Sequence, residues 1–209
     1  MIPLAERLRL VVITDPVLSP GRTLLDVVRA CLRGGATCVQ LREKSGDAAA
    51  MAHVARVVKD AAHSAGALFI VNDRVDVALA VGADGAHLGD DDLPIHAARK
   101  ISPHGFILGA SVDSVAGALD AVSQGADYLG VGPVYATFSK ADAGDAIGVR
   151  PIAELGSATS LPIVGIGGIT AENAAAVRRA GAAGVAVISA VMQSRDPEDA
   201  TRRLLQVLA

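Results

Sequence analysis

Residues 115–132 read VAGALDAVSQGADYLGVG. The first ten, Val115 to Gln124, are alanine-rich with apolar side chains at helical spacing, whereas Tyr128 to Gly132 is a short apolar run bounded by glycine. Between them stands Gly125-Ala126, and glycine is the residue that supplies the left-handed C′ conformation ending a helix. A helix stopped by glycine and followed at once by a strand is one step of an alternating α/β chain. The same pair recurs at Gly35-Ala36, Gly66-Ala67, Gly82-Ala83 and Gly181-Ala182, each ahead of an apolar run.

Working outward from these stops predicts strands at Leu10 to Thr14, Cys38 to Arg42, Leu68 to Asn72, Gly85 to Leu88, Ile107 to Ser111, Tyr128 to Gly132, Ile163 to Gly167 and Gly184 to Ser189. Helices are expected at Leu24 to Arg33, Ala49 to Ala65, Val75 to Val81, Pro94 to Ile101, Val115 to Gln124, Arg150 to Gly156, Ala171 to Ala180 and Pro197 to Leu208, the last capped by Asp196. The strands are continuous apolar runs rather than strict alternations, as parallel strands buried on both faces are. Eight such units close most simply into an α/β (β/α)8 TIM barrel, one domain over residues 1–209; the rival is an open doubly wound sheet. Short loops are required at this length, and the long polar stretch from Ala136 to Gly148 is the exception, which suits an active-site lid or a disordered tip.

Composition narrows the function. The chain is 51% hydrophobic but only 2% aromatic, with 22 glycines and no tryptophan, and 19 basic residues face 22 acidic ones. That balance offers duplex nucleic acid no basic footprint, and so few rings make no stacking platform for bases. No stretch approaches the ~18 uninterrupted apolar residues of a membrane span, and Glu6, Arg7 and Arg9 interrupt the first ten residues where a signal peptide is apolar. A cytoplasmic protein with no nucleic-acid and no membrane partner is expected. Cys31 and Cys38 have no ligand or disulfide spacing and read as reduced core residues.

Polar residues gather where strands end, the end that carries chemistry in a barrel. Gln40, Arg42 and Lys44 share one side of the second strand by its period of two and can meet an anionic ligand; a solvated strand end or a salt bridge to Asp73 is the plainer reading. Asp73 and the run Asp90-Asp91-Asp92 put hard carboxylates at neighbouring strand ends, as Mg²⁺ prefers, although Asp92 also suits a helix cap ahead of Pro94. Gly165-Ile-Gly-Gly-Ile-Thr170 after the seventh strand and Ile188-Ser189 after the eighth lie where barrels bind a phosphate through backbone N–H groups, or else form a tight turn. Ser111 has no matching base in its neighbourhood along the chain and reads as a hydrogen-bond donor rather than a nucleophile; His87 reads as structural. Taken together these ends describe a rim for two phosphorylated small molecules.

Six motifs in order then resemble the thiamine-phosphate synthase family over essentially the whole chain: QLREK at 40–44, VNDR at 71–74, HLGxxDL at 87–93, LGAS at 108–111, GPVYxTxSK at 132–140 and VGIGGI at 164–169. The resemblance implies coupling of a pyrimidine diphosphate to a thiazole phosphate with release of pyrophosphate, through a pyrimidine methyl cation that the thiazole nitrogen captures. It further implies that Gln40, Leu41, Arg42, Glu43, Lys44, Asn72, Ser111 and Lys140 hold the pyrimidine diphosphate, with Lys140, Ser111, Arg42 and Lys44 catalytic. Thr137, Phe138, Ser139, Gly168, Ile188 and Ser189 would hold the thiazole phosphate, and Asp73 and Asp92 one Mg²⁺ per subunit. A homo-oligomer is compatible with it. Asp90 and Ser139 depart from the family's usual Gln and Thr. With no tryptophan, Tyr135 and Phe138 are the rings nearest the loop where the substrates' rings should meet. A thiazole tautomerase paralogue or a thiamine-phosphate-binding barrel without activity are the competing readings, and retention of the pyrimidine-side residues favours the synthase.

Overall fold

In a computed structural model that describes residues 2–15, 21–43, 47–139 and 144–208, all eight strands form and pair in chain order. They are β1 (Leu10–Ile13), β2 (Cys38–Leu41), β3 (Leu68–Asn72), β4 (Gly85–Leu88), β5 (Ile107–Val112), β6 (Tyr128–Val131), β7 (Ile163–Ile166) and β8 (Gly184–Val187). Every neighbour is parallel, and β8 returns to β1 with Val11 opposite Ala186. That last pairing closes the barrel and removes the open doubly wound alternative.

Around it run α1 (Leu4–Arg7), α2 (Leu24–Arg33), α3 (Ala48–Ser64), α4 (Val75–Val81), α5 (Ile95–Ile101), α6 (Val115–Gln124), α7 (Arg150–Ala158), α8 (Ala174–Arg179), α9 (Ser189–Met192) and α10 (Pro197–Val207). The caps explain several starts. Thr23 and Asp26 form a reciprocal capping box on α2, Asp47 accepts from Ala49 and Ala50 at α3, and Asp196 accepts from Asp199 N–H ahead of Pro197. The five glycines of the Gly-Ala pairs all have positive φ, between 65° and 104°, as the helix stops require.

Two short helices depart from the sequence reading. One is α1; the other is α9, which begins at Ser189, the residue expected to end the eighth strand. Its four residues, Ser-Ala-Val-Met, are mostly apolar and carry no side-chain cap, so neither length nor capping announces a helix. Alanines at positions 55, 62, 78, 98, 118 and 174 are fully buried, which lets the helices sit close on strands built of Val, Ile and Leu. Cys31 and Cys38 are buried and unpaired. Burial pushes the Cys31 thiol up to about 11 and that of Cys38 up as well, so both stay protonated and inert.

At the N-terminal ends of the strands one arrangement repeats. Leu10 N–H donates to Thr37 Oγ1 at 2.9 Å, Phe69 N–H to Asp84 Oδ2 at 2.7 Å, and Leu108 N–H to Asp127 Oδ2 at 2.7 Å. Each acceptor is the residue just before an even-numbered strand, and its own N–H donates back to the same neighbour's carbonyl. The fourth position of the series is Ala183, whose N–H donates to Ile163 O at 2.7 Å but which has no side-chain oxygen to offer in return.

Candidate functional site

The opposite rim gathers the polar strand ends. Gln40 and Asn72 are 4% and 8% exposed at the C-terminal ends of β2 and β3, and Arg42, 9% exposed, directly follows β2. So deep a guanidinium must be held by a partner. Asp15, itself buried, supplies it: its Oδ2 lies 3.5 Å from Arg42 Nη1. The backbone is clamped too, since Arg42 N–H donates to Thr14 Oγ1 at 2.9 Å and the Thr14 hydroxyl donates to Arg42 O at 3.2 Å. The ion-pair partner shown for Arg42 is Asp15 on the first strand's exit. Leu41 is buried and Glu43 half-buried. Lys44 and Lys140 lie outside the described residues.

Asp73 follows Asn72 with φ at +64°, the one non-glycine residue with positive φ among the described residues. Such a backbone costs on the order of 1 kcal/mol or more and is held here by Asp73 N–H donating to His87 O at 2.8 Å. Next door, Asp92 does not cap α5. Its Oδ2 turns back to accept from Gly89 N–H at 2.7 Å, which keeps a half-buried carboxylate at the exit of β4, adjacent to the exit of β3. Asp90 and Asp91 point to solvent as exposed residues, so the additional charge at Asp90 is hydrated. Among the described residues no group of three or more His, Cys, Asp or Glu side chains is placed to hold a metal.

The thiazole-side residues come together through glycine. Gly167 and Gly168 have φ of +97° and +61°, and a Cβ on Gly168 would lie 2.5 Å from Ala136 O and 2.8 Å from Tyr135 Cβ. Only glycines let the loop after β7 press against the loop after β6, which brings Gly168 beside the segment leading to Thr137, Phe138 and Ser139. Asn173 fastens the turn, donating to Gly168 O at 2.9 Å and accepting from Thr170 N–H at 2.9 Å. Phe138 is fully exposed, while Tyr135 is half-buried with its hydroxyl 3.5 Å from Asn173 O. Ile188 is buried and Ser189 exposed at the exit of β8.

Inside the mouth the structure shows a cluster that the chain alone did not reveal. His87 Nε2 lies 3.0 Å from Ser111 Oγ, and His87 Nδ1 lies 3.0 Å from the Tyr128 hydroxyl. Tyr128 is 2% exposed, and burial raises its hydroxyl well above the usual phenol range, so it stays protonated. Ser111 thus does have an imidazole within reach, which corrects the reading that no matching base attends it. The signal was indirect: Gly109 and Gly130 on β5 and β6 leave the room that the two rings fill.

Among the described residues no helix is long and apolar enough to cross a membrane. The sequence profile of the family described as thiamine monophosphate synthase matches residues 10–191. The thiamine-phosphate synthase of Methanoculleus marisnigri is 50% identical over 200 residues, covering 96% of this chain and 95% of that protein. That of Roseiflexus castenholzii is 51% identical over 198 residues, covering 95% and 87%. Among solved structures, the thiamine phosphate pyrophosphorylase from Pyrococcus furiosus superimposes with a TM-score of 0.90 at 43% identity, over 99% of this chain and 98% of that one. With the profile spanning nearly all of the barrel and half of all positions identical to these synthases, the chain belongs to the thiamine monophosphate synthase family.

Proposed function

We propose that the chain is an alkyl transferase that joins 4-amino-2-methyl-5-(diphosphooxymethyl)pyrimidine to a thiazole ethyl phosphate, giving thiamine phosphate and pyrophosphate, and CO₂ as well when the thiazole is carboxylated. One observation carries it beyond family membership: Gln40, Arg42, Asn72, Asp73 and Ser111 come from three strands and their exits to one barrel mouth, with Arg42, Asp73 and Ser111 held by hydrogen bonds to their neighbours. In this reading Gln40 to Lys44, Asn72, Ser111 and Lys140 hold the pyrimidine diphosphate, and Thr137 to Ser139, Gly168, Ile188 and Ser189 hold the thiazole phosphate. The barrel acts as one catalytic domain.

The two carboxylates fit Mg²⁺ by the chemistry of their donors. Asp73 and Asp92 offer hard oxygens at neighbouring strand exits, and Mg²⁺ is commonly held by one or two carboxylates, keeping waters and taking substrate phosphate oxygens. When bound, the ion supplies charge against the leaving pyrophosphate. The side chains do the rest. Arg42, preoriented by Asp15, and Lys44 and Lys140 stabilise negative charge as the C–O bond to the diphosphate lengthens, while the buried mouth keeps water from the pyrimidine methyl cation until the thiazole nitrogen captures it.

Incubation with both substrates and Mg²⁺, followed for thiamine phosphate, tests the reading. Steady product formation that stops on chelation and resumes with added Mg²⁺ is expected; isomerised thiazole phosphate without coupling, or binding without turnover, would replace the synthase by its two competitors. Lys140→Ala is expected to lower kcat by on the order of a hundredfold or more with the melting temperature unchanged, and near-native kinetics would remove Lys140 from the machinery.

A further inference from the structure

We infer that Tyr128 and His87 are positioning residues that act through Ser111: a chain of hydrogen bonds, Tyr128 to His87 to Ser111, fixes the serine hydroxyl as a donor toward the pyrimidine diphosphate. The inference rests on the proposed contact between Ser111 and that substrate. It deepens that contact by giving the serine a direction.

The geometry is specific. The His87 ring lies between the Tyr128 hydroxyl and Ser111 Oγ, with 3.0 Å on either side. Its centroid is 5.4 Å from that of Tyr128. Space for the pair is made by two strands that each give up a side chain. A Cβ on Gly109 would lie 2.4 Å from His87 Nδ1, and one on Gly130 would lie 2.8 Å from His87 Cε1. A barrel interior is ordinarily filled by branched aliphatics. Here a buried phenol and a half-buried imidazole stand instead, and polar groups so placed are tolerated only when each finds its partners.

Proton counting sets the direction. Tyr128 remains protonated and has one O–H to give, and His87 Nδ1 stands 3.0 Å away to accept it. With the phenol hydrogen directed to His87 Nδ1, the ring proton sits on Nε2. Nε2–H donates to Ser111 Oγ, occupying a serine lone pair. The serine's own hydrogen is thereby turned to an acceptor on the ligand. This polarity is the reverse of a serine nucleophile with a histidine base, where Nδ1 carries the proton and Nε2 receives one. The same three side chains in the opposite sense would activate Ser111; in this sense they hold it as a hydrogen-bond donor for leaving-group departure.

A double-mutant cycle on the intact enzyme separates these cases. Melting temperature, kcat and both KM values are measured for Tyr128→Phe, Ser111→Ala and the pair. Tyr128→Phe is expected to reduce kcat/KM for the pyrimidine diphosphate about tenfold, the scale of one hydrogen bond, with the thiazole phosphate KM unchanged. In the Ser111→Ala background the same change should cost less than about twofold, because the group it acts through is gone. Multiplicative losses would overturn the relay and leave the proposed site intact, whereas near-native Ser111→Ala would overturn the contact with the serine itself. Should Tyr128→Phe fail to fold, His87→Gln, which keeps a donor, enters the same cycle and should retain more activity than His87→Ala. Stoichiometric labelling of Ser111 by a fluorophosphonate would overturn the assigned polarity.

Discussion

A methyl group at position 109 would sit 2.2 Å from Tyr128 Cζ and 2.4 Å from His87 Nδ1, so Gly109→Ala must push the rings out of line. Overpacking of this kind costs about 1–3 kcal/mol, and the variant is expected to melt several degrees lower and to lose most of its turnover. Native melting and turnover together would show that the ring pair yields without consequence. No local pattern along the chain predicts this contact, because His87, Gly109 and Tyr128 meet only across three strands whose register is a property of the closed barrel. Gln40, Asn72 and Ser111 were legible for the opposite reason: their positions at strand ends follow from local apolar runs and glycine stops. Asp15 and Thr14, which hold Arg42, sit beside it only because β1 and β2 pair with Val12 opposite Val39.

Elements repeat here in pairs. The Gly-Ala stops at 35, 82, 125 and 181 each precede an even-numbered strand, and the next residue is Thr37, Asp84, Asp127 and Ala183 in turn. Three of the four latch an N–H within the first two residues of the preceding strand, and the fourth lacks the oxygen to do so. Ala183→Asp is expected to add that bond, with Arg178, which donates to Ala182 O, near enough to serve the new carboxylate as Arg99 serves Asp127. A gain of about 1 kcal/mol, or a rise of about 3 °C in the melting temperature, should follow with activity unchanged. A lower melting temperature would mean that the half-buried position rejects the charge. The strand count and the main helices were readable from such stops. What sequence could not separate was the end of β8 from the start of α9, since a four-residue apolar segment has neither the length for a period nor a capping side chain.

For the whole molecule, the scarcity of aromatic rings now has a location as well as a consequence. Phe69 and Phe106 are core residues, Phe138 is in solvent and Tyr128 is spent on His87, which leaves Tyr135 as the half-buried ring at the mouth. Charge is distributed as unevenly as the rings. Arg42 and Asp15 are each less than a tenth exposed, so the fold keeps an ion pair where apolar side chains would pack more cheaply. Removing one partner strands the other: Asp15→Leu alone is expected to cost about 3–5 kcal/mol. Replacing both, as Asp15→Leu with Arg42→Met, should restore the melting temperature to the parent's or above while coupling falls to background, and a double variant less stable than the single one would refute it. The catalytic mouth is then a debt carried by the fold, and a descendant released from selection for thiamine phosphate would be expected to grow sturdier by losing its charges there first.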